Sequence, residues 1–279
     1  MISQSASPIV FPTLSLQSVP ASHGILWIKQ GFAAFLRYPL GFSGLFSAMM
    51  LAWIMLSLTP LVGPFLIFMA MPWFSLGFML ATHRCLQAEP PTVGVFFEPL
   101  RSSRKQLRGL IKLSALFALM VAGSLLVAYL WDGDTTGPLM KEALSGQADL
   151  DSLAENPLIQ SAILLRMGLI ALLSLAFWHT PGLVFWGNQP CGRSLVFSLV
   201  AIGRNLAAFL IYGLSWLAVA MTLSLASSLL LGGLGLSHLL PLVTLISMTA
   251  LTTVFYLSAY FSFRGCFLPA AALVPKEGV

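Results

Sequence analysis

Charged side chains are scarce in this chain of 279 residues, of which only 8% are Asp, Glu, Lys or Arg and 58% are hydrophobic. Soluble domains carry about 25% charged residues, so a soluble core of this size would leave too much apolar surface in water. Lipid is therefore the expected solvent. The net charge of +5 does not indicate nucleic-acid binding, because the basic residues lie at the ends of apolar runs rather than along one polar face.

Cysteine is also rare, and the three residues Cys85, Cys191 and Cys266 are too few and too scattered for a disulfide framework or a zinc site. They are expected at the cytoplasmic ends of returning helices, in the reduced state. A nucleophile elbow, a metal motif and a nucleotide loop are missing too, and the glycine-rich residues 232–235 lack the strand and the Lys of a phosphate loop. We therefore expect no catalytic residue, metal or cofactor, and a protein that is not an enzyme.

Basic residues are missing from the first 24 residues, which are rich in Ser and Pro. A secretory signal needs a basic start and a continuous apolar run, and this segment has neither. Residues 1–24 are predicted to form a disordered cytoplasmic tail that stays on the protein. Residues 269–279 are predicted to form a second cytoplasmic tail at the other end.

Long uncharged runs fill most of the remaining chain. One membrane span needs about 20 residues, and the run from Leu40 to Thr82 is long enough for two, with a turn at residues 59–64. Further spans are predicted at residues 110–131, 158–187, 206–231 and 239–263. The expected fold class is thus all-α, a polytopic membrane bundle of six transmembrane helices within residues 25–268.

The order of charges around the third span predicts the orientation. A basic run from Arg101 to Lys112 precedes this span, and an acidic run from Asp132 to Glu155 follows it. Positive before negative is typical of a helix that leaves the cytoplasm. Extended along the chain, this orientation leaves all Lys and Arg residues inside except Lys141 and Arg166. The predicted location is the bacterial inner membrane, with several spans and with both termini in the cytoplasm.

The six spans are predicted to form three hairpins, each preceded by a short cytoplasmic amphipathic helix. The first such helix covers residues 25–37, the second lies near residues 93–100, and Leu195, Leu199 and Ile202 mark the apolar face of the third. For the first helix two interpretations stay open: it lies in the membrane interface, or it packs on the bundle. Its predicted apolar face consists of Ile25, Ile28, Phe32, Phe35 and Leu36. This threefold arrangement has two equally good explanations. One is a true internal duplication, and the other is that any hairpin that starts and ends inside the cell has basic residues at both ends.

Three stretches of sequence resemble a known family. Residues 27–32 (WIKQGF) and 35–40 (FLRYPL) resemble the opening of an uncharacterised family of proteobacterial integral membrane proteins known only by a Burkholderia locus-tag label. Residues 177–184 (FWHTPGLV) are similar to the central motif of that family. The layout also resembles, more distantly, the membrane domain of some glycerophosphodiester phosphodiesterases, but no catalytic domain is present. The resemblance covers residues 23–266 and implies fold and location only.

Four residues within the predicted spans are functional candidates, of which three lie in the second span or near the inner end of the fourth. His179 is an ionisable residue inside a span, which is a functional candidate by default, although beside Trp178 it also suits an anchor at the inner interface. Pro72 is expected to kink the second span, and Pro181 to kink or tilt the fourth.

Arg166 is a fourth candidate, near the outer end of the fourth span. Its long side chain is expected to reach the headgroups or to pair with Asp151 or Glu155, with anion passage as the functional alternative.

Two functions from different classes follow. The first is a non-catalytic scaffold or partner protein of the inner membrane. The alternative is a transporter or lipid-handling protein with a cavity between the helices that carry Pro72 and Pro181. The predicted spans contain no acidic residue, which counts against proton-coupled or cation-coupled transport. Membrane lipids are the expected partners, with other membrane proteins as a second option and no nucleic acid; the oligomeric state stays open.

Overall fold

The structure, a computed structural model, describes residues 14–60, 62–132 and 157–267. The acidic outer loop, residues 1–13 of the predicted tail and the C-terminal tail lie outside the described residues. Short 3₁₀ turns occur at Val93–Phe96, Glu98–Arg101 and Ser237–Leu239. The α-helices within the described ranges are α1 (His23–Arg37), α2 (Pro39–Ser57), α3 (Gly63–Leu86), α4 (Arg104–Asp132), α5 (Pro157–Phe177), α6 (Thr180–Phe185), α7 (Cys191–Arg204), α8 (Leu206–Gly233) and α9 (Leu240–Phe267).

Six segments of the described chain are helical, long and apolar enough to cross a membrane, which confirms the predicted number of spans. All-helical structure satisfies the backbone hydrogen bonds within each segment, as hydrocarbon requires. The six segments are Pro39–Ser57, Gly63–Leu86, Arg104–Trp131, Pro157–Phe185, Leu206–Gly233 and Ser237–Phe267.

Helix α3 lies at the centre of the bundle, where it packs against α2, α4 and α9. Helix α5 packs mainly on α4 and α7, and α8 packs on α9 and α1. Basic residues meet at one end of the bundle, which we call the basic end: the Arg37 guanidinium donates to the Cys85 carbonyl at 3.2 Å, and Arg84 pairs with Glu98 at 2.8 Å. Arg264 lies over the Tyr260 ring at the same end.

Helix α1 packs on the bundle, which is one of the two interpretations that the sequence left open. It contacts α8 and α9 through a face that includes Trp27 and Ile28, both almost completely buried. Glycine permits this approach: a Cβ at Gly24 would collide with the Ala208 carbonyl oxygen, and one at Gly31 would lie 3.0 Å from Ser258 Cβ. The small residues therefore set how close the helices come.

The apolar face predicted for α1 is wrong in part. Ile28 is buried, but Ile25 is 44% exposed and Leu36 is 71% exposed. A similar difference occurs in α7, where Ile202 is buried as expected while Leu199 is 49% exposed. The contact face of α7 instead contains the buried small residues Ser194, Ser198 and Ala201. Contact between helices in lipid selects small residues, whereas large aliphatic side chains can face lipid without cost.

The segment before α1 is attached to the bundle. Residues 14–20 are extended, and the Ser15 and Gln17 amides donate to the carbonyls of Phe267 and Cys266, at 3.2 and 2.7 Å. The Val19 amide donates to Asn205 Oδ1 at 2.8 Å. The part of the predicted tail that the structure describes thus has specific partners at the end of α9 and the start of α8.

The fourth span is broken rather than kinked. Helix α5 ends at Phe177, Trp178 and His179 form a bend, and α6 begins at Thr180. Pro181 lies in the first turn of α6, where its missing N–H costs nothing. In a continuous helix Pro181 would leave the Phe177 carbonyl without a donor and its ring would clash there, which explains why the helix ends at that residue. Helix α3, in contrast, continues through Pro72.

Candidate functional site

Pro72 and Pro181 line one crevice, although they lie more than 100 residues apart in the sequence. The crevice lies between α3, α4, α5, α6 and α9 and has a volume of about 210 Å³. Aromatic rings form much of its wall: Phe117 and Phe177 meet edge to face at 4.9 Å, and Trp178 meets Phe255 at 5.2 Å. The break at Trp178 and the proline in α3 thus occur at the same place in the bundle.

The polar groups of this crevice are few and neutral. Ser75 and Ser174 are half-buried on opposite walls, and Tyr256 lies nearby with its ring stacked on Phe78 at 4.9 Å. Among the residues that the structure describes, no acidic, basic, histidine or cysteine side chain lines it. Such a lining suits an apolar ligand or part of one, and it offers no charged group for binding an ion.

His179 lies behind this crevice, in the aromatic core. It is fully buried, and its ring meets Phe267 at 5.3 Å and Phe209 at 5.7 Å. Its backbone N–H donates to Ser198 Oγ at 3.1 Å, which anchors the bend to α7. His179 does not line the crevice, so the structure brings together the two prolines but not the histidine.

Ser262 on α9 organises the bend. Its Oγ accepts a hydrogen bond from the Trp178 indole at 2.9 Å and donates its own hydrogen to the Ala259 carbonyl at 2.8 Å. His179 Nε2 lies 3.3 Å from the same oxygen. With the hydroxyl hydrogen directed to the Ala259 carbonyl, Nε2 of a neutral His179 ring acts as the donor and Nδ1 as an acceptor. Nδ1 has no hydrogen-bond partner within the described part of the chain.

Arg166 is separate from all of these residues. It lies in the third turn of α5, half-buried, and its guanidinium donates to the Ala162 carbonyl at 3.2 Å. The acidic partners expected for it, Asp151 and Glu155, lie outside the described residues. Arg166 does not line the crevice, so the structure gives it no part in that site.

Asn205 was not among the residues singled out from sequence. It is 3% exposed at the junction of α7 and α8. Its side-chain amide donates to the carbonyls of Gln17 and Ala201, at 3.0 and 2.9 Å, while its oxygen accepts from Val19. An amide between two apolar helices must find such partners, and this is the signal in the sequence that could have identified it.

The three cysteines are free, and two of them, Cys85 and Cys266, are buried in the last turns of α3 and α9. Cys191 is half-buried at the start of α7. Burial raises the pKa of its thiol, and the positive charge of nearby Lys112 offsets only part of that rise. Within the described residues, no group of three or more His, Cys, Asp and Glu side chains is placed to hold a metal ion.

The chain is similar over nearly its whole length to a protein of Burkholderia thailandensis named a probable inner membrane protein. The two are 31% identical over 255 residues, which cover 91% of this chain and 94% of that protein. No family model matches the chain. No solved structure matches it either. The similarity confirms the resemblance found in the sequence, and together with the six apolar helices it shows that the chain belongs to this family of multi-pass inner-membrane proteins.

Proposed function

We propose that this inner-membrane protein handles lipid without being an enzyme, by admitting an apolar chain into the crevice between α3, α4, α5, α6 and α9. The observation that carries the proposal is the meeting of Pro72 and Pro181 in one crevice lined by aromatic rings. A proline in the middle of a helix leaves the carbonyl four residues earlier without its N–H donor, and this weakens the helix locally. The break beside Pro181 weakens the facing wall of the crevice in the same way. Both walls of the crevice are therefore places where helices can part.

The chemistry of the lining favours an apolar ligand over an ion. Coupled transporters keep buried ionisable groups in their pathways, and the polar side chains of this crevice are the neutral Ser75, Ser174, Trp178 and Tyr256. An enzyme would need a nucleophile with a base beside it, or a comparable set of groups. The lining pairs no such groups, which supports the non-enzymatic part of the proposal.

The proposal can be tested with a phospholipid that carries a photoreactive diazirine in its acyl chain. The purified protein in nanodiscs is irradiated, and labelled peptides are mapped by mass spectrometry. We expect labelling at Met71 and Tyr256, which line the crevice from α3 and α9. Ser174→Leu places a larger side chain in the crevice and should remove most of this labelling. The matched control is Ser224→Leu, which changes a lipid-exposed residue of α8.

Two results would contradict the lipid-handling proposal. One is labelling of Met71 and Tyr256 that is no stronger than labelling of lipid-exposed positions on α8. The other is labelling that persists unchanged in Ser174→Leu while the variant remains folded. Either result would favour the scaffold function, in which the helices need only pack and the partners are other membrane proteins.

We also propose that both termini lie in the cytoplasm, so that the basic end faces inward. The positive-inside rule supports this orientation, because Arg37, Arg84, Arg104 and Arg264 lie at that end. Reporter fusions after Thr92 and Gln189 should then report a cytoplasmic location, and a fusion after Gly235 an external one. A fusion at Gly235 that reports the cytoplasm would contradict the orientation without affecting the six-helix fold.

A further inference from the structure

A second cavity, of about 500 Å³, lies at the basic end and shares no lining residue with the crevice. We call it the basic cleft. One wall is the first turns of α4, where Arg104, Arg108 and Lys112 follow one another at intervals of four residues. This spacing places their side chains on one face of the helix. Lys105 also lines the cleft, and all four cations are exposed.

The facing wall also presents hydrogen-bond donors. The side-chain amides of Asn188 and Gln189 line it, followed by Pro190 and Cys191, where α7 begins. The first N–H groups of a helix have no partner within the helix, and the helix dipole adds positive potential there. No carboxylate of the described chain lines the cleft. The Glu98 carboxylate, which lies near the same end, is already paired with Arg84.

The two walls are held together by specific contacts. The Gln106 side-chain amide donates to the Phe185 carbonyl at 2.7 Å, which ties α4 to the end of α6. Helices α4 and α6 also pack closely one turn further along α4, because a Cβ at Gly109 would lie 2.9 Å from Val184 Cγ1. The cleft is therefore a defined space between three helices.

Within the described residues, no counterion lines this cleft. Like charges at intervals of four residues destabilise a helix, and neither wall of the cleft supplies an acidic partner. An anion between the walls would relieve this repulsion, and arginine and lysine bind phosphate with charge-assisted hydrogen bonds. Two acidic residues of the described chain lie near the basic end: Glu98, which is paired with Arg84, and Glu89, and neither of them lines the cleft.

We propose that the basic cleft binds a phosphate group with net negative charge, either on the headgroup of an anionic phospholipid or as a soluble phosphate. Basic pockets between helices at the cytoplasmic side of a membrane bind anionic headgroups. The cleft begins at the first residue of the third span, where the phosphates of a bilayer leaflet lie. The proposal stands apart from lipid entry into the crevice, and either can fail without the other.

The test uses the purified full chain in a neutral detergent and measures the binding of fluorescent short-chain phosphatidylglycerol at equilibrium. Phosphatidylcholine, which has no net charge, is measured in parallel, and inorganic phosphate is titrated as a competitor. The cleft variant is Arg104→Gln combined with Arg108→Gln. The control variant, Lys29→Gln combined with Arg204→Gln, removes the same charge from exposed positions outside the cleft. Gel filtration and thermal melting check that both variants fold.

We expect phosphatidylglycerol to bind more tightly than phosphatidylcholine, and the cleft variant to lose about thirtyfold in affinity, as the removal of two surface cations implies. The control should lose less than about threefold. Binding of phosphatidylglycerol that resists inorganic phosphate identifies a lipid headgroup as the ligand, and binding of inorganic phosphate alone identifies a soluble one. Equal losses in the two variants would overturn the proposal, and so would the failure of both probes to bind.

Discussion

The long helices differ between their two halves. In α9, no residue from Leu240 to Ala250 is buried, and all buried residues of the helix lie between Leu251 and Phe267. Helix α8 buries only Ala208, Phe209 and Tyr212, all within its first two turns. The described structure thus has a packed half at the basic end and an open half at the other end.

The packed half contains the groups that need fixed partners. Aromatic rings of α1, α8 and α9 meet there, and the buried polar residues His179, Asn205 and Ser262 form their hydrogen bonds there. In the open half, aliphatic and small side chains face lipid, which solvates them as well as another helix would. We therefore expect the packed half to supply most of the stability, whereas the exposed surface of the open half should contribute little to it.

The largest effect is expected for Trp27→Ala in the packed half. Trp27 is 1% exposed, lies 5.1 Å from Phe209 between ring centroids, and packs over Gly265. Removing a buried tryptophan costs about 3–5 kcal/mol, because packing contacts are lost and a cavity remains. Leu229→Ala in the open half, where the side chain is 68% exposed, should change the free energy of unfolding by less than about 0.5 kcal/mol. Unfolding in mixed micelles by titration with sodium dodecyl sulfate measures both.

Similar losses of stability in the two variants would contradict this difference between the halves. That result would mean that the open half of α8 is covered, either by a second copy of the chain or by tightly bound lipid. Repeating the titration at several protein concentrations separates these explanations, since only assembly depends on concentration.

The next effect is expected for Asn205→Leu, which removes the anchor of residues 17 and 19. The Val19 amide and the Gln17 carbonyl lose their partner, whereas the Ala201 carbonyl keeps the backbone N–H of residue 205, and a buried unsatisfied group costs about 1–3 kcal/mol. The segment before α1 should detach and become sensitive to protease at Gln17 and Val19. Ser224→Leu, at a lipid-exposed position of the open half, is the control and should leave the cleavage unchanged. Equal resistance of wild type and Asn205→Leu would show that the contacts to Phe267 and Cys266 suffice.

The sequence predicted the open half better than the packed half. Uncharged length alone located all six spans, because hydrophobicity is what lipid selects. The contact face of α1 depends on Gly24 and Gly31, and hydrophobic periodicity gives glycine no weight. Pro72 and Pro181 were recognised as candidates from their position in returning helices. Their meeting in one crevice depends on which helices pack together, and the pattern of a single sequence does not contain that information.

Ser262 shows the same limit for polar residues. The spans contain many serines, and nothing in the sequence separates Ser262, which has three polar partners, from Ser224, which faces lipid. The difference arises only when α9 packs against the bend between α5 and α6. The packing of α9 against this bend also determines which face of the C-terminal half of α9 is buried.

The smallest effect in the packed half is expected for Ser262→Ala. The variant leaves the Trp178 indole and His179 Nε2 without their common acceptor. Hydrogen bonds between membrane helices contribute about 0.6 kcal/mol on average and at most about 1.7 kcal/mol, because the unfolded state in the membrane also finds partners. We expect a loss of stability within this range in the same unfolding titration. Ser228→Ala, at a lipid-exposed position of α8, should lose none.

A resonance assigned to the Trp178 indole N–H should shift upfield in Ser262→Ala as its hydrogen bond is lost. An unshifted indole resonance would show that another acceptor replaces Ser262, and the bend would then be held mainly by the hydrogen bond from His179 N–H to Ser198.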